Sequence, residues 1–460
     1  MIRSLLIWGG LLFSLTATAQ TDRPFSYLDF YQLVLTNHPV IKQAQLVLDD
    51  AQAELMMARG QFDPKLESNF ERKSVNDKLY FSHWETALKV PVWGGIDLKM
   101  AREENGGDRL NPEFSDRVNV IGLNVPLGRG MLLDQRRNIL KQARIYQKIA
   151  QAEQQKMINK IMYDAAKDYW EWYYTYQNYQ LQKEGYELAL NRFKFLRTQV
   201  LIGEKAGRDS VEAAITVQAR EVDLAQAKLD FDNFSLFLSN YLWNADGNPV
   251  ELPEGTVPPP TPSRLLDESV LNRFLELAKN SHPEILKLSS KLDQLRVEER
   301  FAKEFLKPRL DVQVNAIQSP LYAFSEYSVL RTNHKYGVTF EFPLFLRKER
   351  AKIQQVQIKQ NQASLERTQM SREILNDVQA FYNEAVQMQK QLVIQQKAAE
   401  NQVILVNAEL ELFQLGESSL FLINSRESKL IEMKTKVEAL KSKLEKSIAG
   451  LAYAAGQQSF

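Results

Sequence analysis

The sequence predicts a mainly α-helical protein with a small β part, built as two tandem repeats. Three observations predict this fold class: a motif that recurs at an offset of 244 residues, short segments with period-two alternation, and long segments with an apolar heptad pattern. Each repeat is expected to contain a helix, a β-hairpin and a long coiled-coil-like helical hairpin, in that order. A chain of 460 residues exceeds the usual single core, so its length indicates two or three domains or one elongated fold.

The recurring motif is a histidine–proline turn that opens a helix. His38 and Pro39 in the first repeat match His282 and Pro283 in the second. Proline is favoured in a first helical turn, where its missing N–H would be unpaired anyway, and Asn37 before it is a good N-cap. In both repeats another proline follows 25 residues later, which indicates two copies of one plan. The histidines are therefore expected to make structural hydrogen bonds rather than to bind metal.

Strands that are apolar on one side only are predicted after each closing proline. The segments with this alternation are 66–72, 83–92 and 117–125 in the first repeat, and 309–316 and 336–342 in the second. Together they correspond to about four strands. The phase of 117–125 slips beside Gly122, as at a β-bulge. The stretch 92–114 is rich in glycine and polar turn formers, so it is expected to be a longer exposed hairpin or loop.

Long helices are predicted after the strand-to-helix junctions at Pro126 and Pro343. Every seventh residue is apolar, namely Ile158, Ala165, Trp172, Tyr179, Tyr186, Phe193 and Val200, then Val378, Ala385, Leu392, Ala399, Val406 and Phe413. At 1.5 Å per residue, a helix from about 131 to 202 would be about 100 Å long. Both rods stop at a glycine, Gly203 or Gly416, and a second heptad helix returns, which predicts antiparallel helical hairpins. The expected seams of the returning helices are Ile215, Val222, Leu229, Leu236 and Trp243, and Ile423, Leu430, Val437, Leu444 and Leu451.

The predicted domain boundaries follow from these patterns. They are a signal peptide at 1–19, a first repeat at 20–251, a proline-rich connector at 252–263, a second repeat at 264–455 and a tail at 456–460. The signal peptide rests on an apolar run followed by Ala17, Thr18 and Ala19, the small-x-small pattern of a cleavage site. The alternative, an N-terminal anchor helix, needs about 20 apolar residues, and this run is shorter. Cysteine is absent, which excludes disulfides, thiolate metal sites and a lipidated N-terminal cysteine.

Composition and motifs argue against an enzyme or a nucleic-acid-binding protein. The net charge of +1 gives no basic surface for nucleic acid. No metalloprotease, nucleophile-elbow, phosphate-loop or dinucleotide motif occurs, so no catalytic residue, metal ligand or cofactor is assigned. The aromatic run 169–179 invites a stacking-site hypothesis, but Trp172 and Tyr179 lie on the heptad seam and Tyr169 and Tyr176 lie four positions beyond seam residues, so core packing is expected for most of the rings. Trp170 and Tyr174 are left over and are expected to mark where the long helices meet the other elements.

A membrane role shared between several copies is predicted from the small number of strands in one chain. After the signal peptide no apolar segment approaches the length of a spanning helix, so any crossing would use β-strands. About four strands cannot close a barrel, since about eight are needed, and an open sheet in a membrane would leave unpaired edges. Several copies of the chain are therefore expected to share one barrel.

In order and spacing these features resemble the TolC-type outer-membrane efflux proteins (outer membrane factors). The two tandem copies, the histidine–proline turn, the junction prolines and the glycine tips carry the resemblance over 25–455. It implies a homotrimer with a shared twelve-stranded β-barrel in outer-membrane lipid and an α-helical tunnel across the periplasm. The implied function is a passive exit duct of a tripartite efflux or type I secretion system. An inner-membrane transporter and a periplasmic adaptor (membrane fusion) protein would be its partners.

The resemblance also implies that the helical tips close the periplasmic end with carboxylates shortly after the tip glycine. Asp209 and Glu212 match that spacing after Gly203. After Gly416 the same positions hold Leu422 and Ser425, so the second repeat departs from the pattern. The two carboxylates equally fit helix-start residues that the helix dipole favours.

An alternative function is a periplasmic coiled-coil scaffold or adaptor protein that is exported but not inserted in the membrane. Long helical hairpins alone would allow it. It predicts that the strands form a small soluble sandwich, whereas two equivalent hairpins flanked by rods favour the channel.

Overall fold

The computed structural model describes residues 23–107, 116–260, 266–318 and 333–458. The predicted signal peptide lies outside these residues, as do 108–114 of the glycine-rich stretch, 261–263 of the connector and 459–460 of the tail. The helices are α1 (Tyr27–Asn37), α2 (Pro39–Gly60), α3 (Gln135–Leu201), α4 (Gly207–Ser239), α5 (Glu268–Ser281), α6 (Pro283–Glu304), α7 (Arg347–Gln414) and α8 (Leu420–Ala454). The strands are β1 (Arg23–Pro24), β2 (Lys65–Val75), β3 (Lys78–Pro91), β4 (Asp97–Gly106), β5 (Arg117–Pro126), β6 (Thr256–Val257), β7 (Arg309–Gln318) and β8 (His334–Glu341).

Two long helical hairpins dominate the fold, as the heptads predict. The rods α3 and α7 have 67 and 68 residues, which makes each about 100 Å long. Helix α4 returns along α3, and α8 returns along α7. Gly203 and Gly416 have φ of +82° and +80°, a left-handed conformation that glycine adopts without strain and that ends both rods.

Three of the four predicted heptad seams are partly or wholly buried within the chain. Their fully buried members are Ala165, Trp172, Val378, Ala385, Leu392, Ala399, Val406, Ile423, Val437, Leu444 and Leu451. The seam predicted for α4 is wrong as an internal contact, because Ile215, Val222, Leu229 and Leu236 are 53–69% exposed. The buried residues of α4 include Ala213 and Ala227 instead. The predicted seam therefore points away from the chain's own core, and Trp243 lies beyond the end of the helix.

Among the described residues, six strands form one antiparallel sheet, in the order β2-β3-β4-β5-β7-β8. The expectation of about four strands was wrong, because the first repeat contributes two β-hairpins and the second contributes one. The added strand β4 occupies 97–106, within the stretch predicted to be an exposed hairpin or loop. Its apolar phase is short, with Leu98 and Met100 followed by charged residues, and this concealed the strand in the sequence.

The bulge predicted beside Gly122 is absent, because β5 pairs with β4 and β7 in unbroken register. The phase slip has another cause. Val120 packs on one face of the sheet with Ala87 and Ala101, while Leu123 lies on the opposite face. Strand β5 is therefore apolar on both faces. A register irregularity does occur in the sheet, between Lys73 and Ser74 in β2.

The sheet is curled, and its two faces differ in chemistry. We call the face of the buried residues Ala87, Ala101 and Val120 the concave face, and the opposite face the convex face. The convex face carries the exposed apolar residues Leu66, Phe70, Trp84, Leu88, Met100, Leu123, Tyr336, Val338 and Phe340. The concave face carries Glu67, Glu71, Glu85, Lys89, Lys99, Asn124, Gln313, Asn315 and Lys335.

Two equivalent helical elements, α1 and α5, precede the histidine–proline turns and were not anticipated from the sequence. Each packs against the rod of its own repeat, and Phe30 and Phe274 are the largest buried side chains that they contribute. Part of the proline-rich connector forms β6, which pairs in parallel with β1. Among the described residues, no helix has both the length and the apolar character that a membrane span requires.

Candidate functional site

Equivalent turns open α2 and α6 in the two repeats. The Nδ1 atom of His38 accepts a hydrogen bond from the backbone N–H of Val40 at 3.2 Å. His282 does the same with the N–H of Glu284, also at 3.2 Å. Each histidine is thus the N-cap of its helix, and the proline after it begins the helix. The expectation that Asn37 caps α2 was wrong, because Asn37 is the last residue of α1.

The turn at His282 lies beneath the C-terminal end of α8. Asn159 donates a hydrogen bond to the carbonyl oxygen of Gly456 at 2.7 Å, which holds this end in place. A Cβ atom at Gly456 would come within 2.6 Å of Pro283, so only glycine fits there. Burial lowers the pKa of His282 to about 4, an effect that Lys156 strengthens and Glu284 opposes.

We expect His282 to make the fold sensitive to acid. Its pKa is about 4 in the folded chain and 6.5 in the unfolded chain, so the unfolded state binds more protons between these values. The stabilising contribution of neutral His282 is complete above about pH 6.5 and is lost as the pH falls towards 4. Thermal unfolding in detergent should show a smaller fall in Tm on acidification for His282→Asn, which keeps a capping oxygen but does not titrate. Equal falls in the two proteins would contradict this account.

The strand-to-helix junction of the first repeat is held against the start of β7. The N–H groups of Leu127 and Arg129 donate to the carbonyl oxygens of Leu310 and Pro308, at 2.7 and 2.9 Å. Pro126 ends β5 beside this contact, and Pro343 follows β8 in the second repeat. The two junctions differ in detail. Helix α3 is capped by Asp134, whereas Leu346 precedes α7 in a left-handed conformation with no side-chain cap.

Gly128 is required at this junction by a close approach of two backbone segments. A Cβ atom there would lie 2.1 Å from the carbonyl oxygen of Pro308. We expect Gly128→Ala to destabilise the protein by about 2 kcal/mol, since the two segments must separate. The matched control is Gly207→Ala at the start of α4, where nothing lies within 4 Å and alanine favours the helix. A Tm for Gly128→Ala as high as that of the control would contradict the close approach.

The tips of the two helical hairpins meet in a small apolar cluster. Leu196, Ala213 and Leu420 are buried there, and they come from α3, α4 and α8. The tip glycines Gly203 and Gly416 are exposed.

The candidate gate residues lie just beyond these glycines. Asp209 is in the first turn of α4, 3.7 Å from Arg208, and Glu212 follows on the next turn. Both carboxylates belong to residues that are half-buried. In the second repeat Leu422 and Ser425 are exposed on α8, in place of acidic residues. The structure thus puts one acidic position in the first turn of a helix, where the dipole favours a negative charge.

An ion pair that sequence reasoning missed joins the two hairpins above the tips. Both terminal nitrogens of Arg192 on α3 contact the carboxylate of Glu427 on α8, one of them at 2.8 Å. The same guanidinium reaches Asn424, which donates to Thr216 on α4 at 2.9 Å. The side chains of Arg192 and Glu427 are each only 13% exposed. No pattern within either helix indicates this pairing, because the partners come from different repeats.

The aromatic run 169–179 forms the core where the first rod meets α1 and α4. Tyr169, Trp170 and Trp172 are almost fully buried, and the indole N–H of Trp172 donates to Ser235 at 3.0 Å. This confirms the packing interpretation for Tyr169 and Trp172, and Trp170 belongs to the same core. Within the described residues no group of three or more His, Asp or Glu side chains is placed to hold a metal ion.

Comparison with known proteins finds similar solved structures but no similar sequences. No protein family and no curated protein sequence matches the chain. The fold is similar to that of the Campylobacter jejuni CmeC outer membrane channel, with a TM-score of 0.65 and 13% identity over 94% of this chain and 86% of that one. VceC, an outer membrane protein of Vibrio cholerae, also gives 0.65 at 13% identity, over 94% of this chain and 96% of that one. The open-state MtrE outer membrane channel of Neisseria gonorrhoeae gives 0.66 at 13% identity, over 93% and 88%. The chain therefore has the TolC-like fold of these outer-membrane channel proteins.

Proposed function

We propose that the protein is the outer-membrane channel-tunnel component of a tripartite efflux or type I secretion system. It acts as a passive exit duct for substrates that an inner-membrane transporter and a periplasmic adaptor deliver. The observation that carries this proposal is a sheet whose convex face carries a band of exposed apolar residues and whose concave face is charged, set at one end of two rods about 100 Å long.

The chemistry of the sheet supports a wall between lipid and water. Outer-membrane strands alternate between apolar residues towards lipid and polar residues towards the lumen. The concave face has cross-strand ion pairs, Lys89 with Glu67 at 2.6 Å and Lys99 with Glu85 at 2.5 Å. A charged ladder of this kind is stable beside a water-filled lumen and costly against hydrocarbon.

The sheet of one chain does not close on itself, which supports assembly of several copies, here a homotrimer. The sheet ends at two open edges, β2 and β8, which a membrane does not tolerate. The exposed apolar seam on α4, from Ile215 to Leu236, is a second surface that a neighbouring copy would cover. Copies of the chain arranged around a common axis would join their sheets into a closed barrel and their helical hairpins into a closed tube.

In this proposal the protein resides in the outer membrane with a long periplasmic portion. The signal peptide predicted at 1–19 would direct its export. Its partners are two further copies of itself, outer-membrane lipid, the adaptor and the transporter. It needs no cofactor and has no catalytic chemistry of its own, since the energy for transport comes from the transporter.

We place the periplasmic end of the duct at the helical tips, with Asp209 acting as a helix-start carboxylate. Asp209→Asn should then lower stability by up to about 1 kcal/mol and leave the conductance of the closed channel unchanged. Glu212→Gln should have still less effect on either property. A rise in conductance of either variant in planar bilayers would instead assign these carboxylates to an electrostatic gate.

Cell fractionation and a pair of lysine substitutions test the proposed function. The protein should appear in the outer-membrane fraction and leave it only with detergent. Val338→Lys, on the convex face where the side chain is 68% exposed, should reduce insertion because lysine facing lipid costs about 2–4 kcal/mol at mid-bilayer. Thr339→Lys, the next residue on the concave face, is the control and should insert normally.

Recovery of the protein in the soluble periplasmic fraction would contradict the channel. It would favour the periplasmic scaffold or adaptor, for which both lysine variants should behave alike.

A further inference from the structure

We propose that the shared barrel has eighteen strands rather than twelve, because the first repeat carries a duplicated hairpin that forms part of the wall. This inference rests on the proposed function. Its consequence is an outer segment wide enough for solutes that a twelve-stranded ring would exclude.

The sequence around the two strand ends indicates the duplication. Strand β3 ends in "LKVP" at 88–91 and β5 ends in "LNVP" at 123–126, an offset of 35 residues. Four residues beyond each proline is a glycine, Gly95 or Gly130, with φ of +75° or +92°. The turn after β3 therefore shares the proline and the left-handed glycine of the strand-to-helix junction. The difference is that the chain then enters another hairpin instead of a helix.

Strand β4 is an integral part of the sheet. It pairs with β3 over ten residues and with β5 over eight, with no shift in register on either side. Removing it from the wall would break both ladders. Met100 lies on the convex face and is 45% exposed, while the next residue, Ala101, is buried on the concave face. In its rod-side half the added strand thus keeps the same faces as its neighbours.

The turn between β3 and β4 is fixed to the base of the rods. Trp93 stacks on Phe62, which follows α2, with ring centroids 6.1 Å apart and an interplanar angle of 18°. The guanidinium of Arg137 lies 5.7 Å from the ring of Trp93, and Arg136 contacts Asp97 at 2.7 Å. Both arginines belong to the first turn of α3. These contacts hold the turn at the level of the junction, as expected for a wall strand.

A second copy of this chain is the occupant that fits the open edges. The strands alternate in direction across the sheet, and their number per chain is even, so β8 of one copy and β2 of the next run antiparallel. Lys65 and Glu341 lie on the concave face at the rod-side ends of these two edges. Their charges are opposite, so they complement each other across the contact between copies.

The number of strands determines the width of the ring. With strands about 4.8 Å apart and tilted by about 40°, a twelve-stranded ring has a backbone diameter of about 24 Å and an eighteen-stranded ring about 36 Å. Barrels of 16–18 strands enclose an aqueous channel, so the wider ring is open to water.

The direct test is to image the full-length protein in lipid nanodiscs by electron cryomicroscopy and to count the strands. Eighteen strands around a threefold axis are expected. A trimer with twelve wall strands, and the β4–β5 hairpin inside or outside the wall, would overturn the inference and leave the proposed function standing. A particle without threefold symmetry or without a barrel would overturn the proposed function itself.

Single-cysteine labelling provides an independent test, since the chain has no cysteine of its own. A fluorophore at Met100→Cys should be quenched by brominated lipid as strongly as one at Leu88→Cys on β3, because both positions face outwards. A fluorophore at Lys99→Cys should be quenched by aqueous iodide instead. Protection of Met100→Cys from lipid would show that β4 is not a strand of the lipid-facing wall and would contradict the inference.

Deletion of residues 92–126 tests the predicted width of the pore. It joins Pro91 directly to Leu127 and so restores one hairpin that ends in the same motif. If this variant assembles, the radius of the largest poly(ethylene glycol) that enters the outer segment should fall by about one third or more. An unchanged polymer cut-off would contradict the wider pore, and if the variant does not assemble, the strand count of the full-length protein decides.

Discussion

Trp172→Ala is expected to lower the free energy of unfolding by about 4 kcal/mol, the largest effect among the substitutions considered. The side chain of Trp172 has no solvent exposure, and it lies in the core cluster that α3 forms with α1 and α4. Its ring contacts Tyr169 and Phe231, so truncation leaves a cavity in the core that aligns the first rod with its neighbours. Thermal or denaturant unfolding in detergent measures the change.

Two comparisons make this prediction specific. Trp172→Phe should destabilise the protein less than Trp172→Ala, because phenylalanine keeps most of the packing. Its main loss is the hydrogen bond to Ser235. Phe195→Ala, on the same rod at a position that is 58% exposed, should change stability by no more than about 0.5 kcal/mol. A similar small change for Trp172→Ala would show that the aromatic cluster does not hold the rods together.

Glu427→Ala is expected to destabilise the protein by about 3 kcal/mol, because it leaves the guanidinium of Arg192 buried without its carboxylate. The loss should be greatest near the tips, where this pair joins the two hairpins. Hydrogen exchange of α3 and α8 amides around these residues should therefore increase more than exchange near the sheet.

The control for this pair is an exposed one on the same helix. Lys429 and Glu432 are 2.8 Å apart, with side chains that are half or more exposed, so Glu432→Ala should cost no more than about 0.5 kcal/mol. Replacing both Arg192 and Glu427 by leucine should recover much of the loss, since no charge then remains buried. Equal effects of Glu427→Ala and Glu432→Ala would show that the cross-hairpin pair is as weak as a surface pair.

The rods and their ends could be predicted from sequence because their signals are local and repeated many times. A heptad such as Val378, Ala385, Leu392 and Ala399 accumulates over many turns, and every member of it is buried. The tip glycines mark turns that need a left-handed residue, and both have one. Heptads do not reveal which surface they will meet. The apolar stripe of α4 is as regular as that of α8, yet it is exposed in the single chain.

The number of strands was harder to predict because it depends on pairing between distant segments. Strand β4 has only Leu98 and Met100 as apolar convex residues, too few to show period-two alternation. The repeated "VP" at 90–91 and 125–126 was a signal that could have revealed the second hairpin. The apparent bulge at Gly122 misled for a related reason: a strand that is apolar on both faces loses its alternation.

The sequence predicted where the candidate site residues lie better than it predicted which residues they contact. Both histidine–proline turns could be located by their spacing, although the capping residue is the histidine and not the asparagine before it. The ion pair between Arg192 and Glu427 had no sequence signal, because 235 residues separate its members. Asp209 lies in the first turn of α4 and Glu212 follows it, and a gate role for either of them stays a prediction.

The mass and symmetry of the detergent-solubilised protein test the central claim most directly. We expect a particle of three copies with threefold symmetry, in which the edges β2 and β8 of neighbouring copies are joined. A single copy that stays folded in buffer without detergent, with the six strands packed together, would contradict the claim.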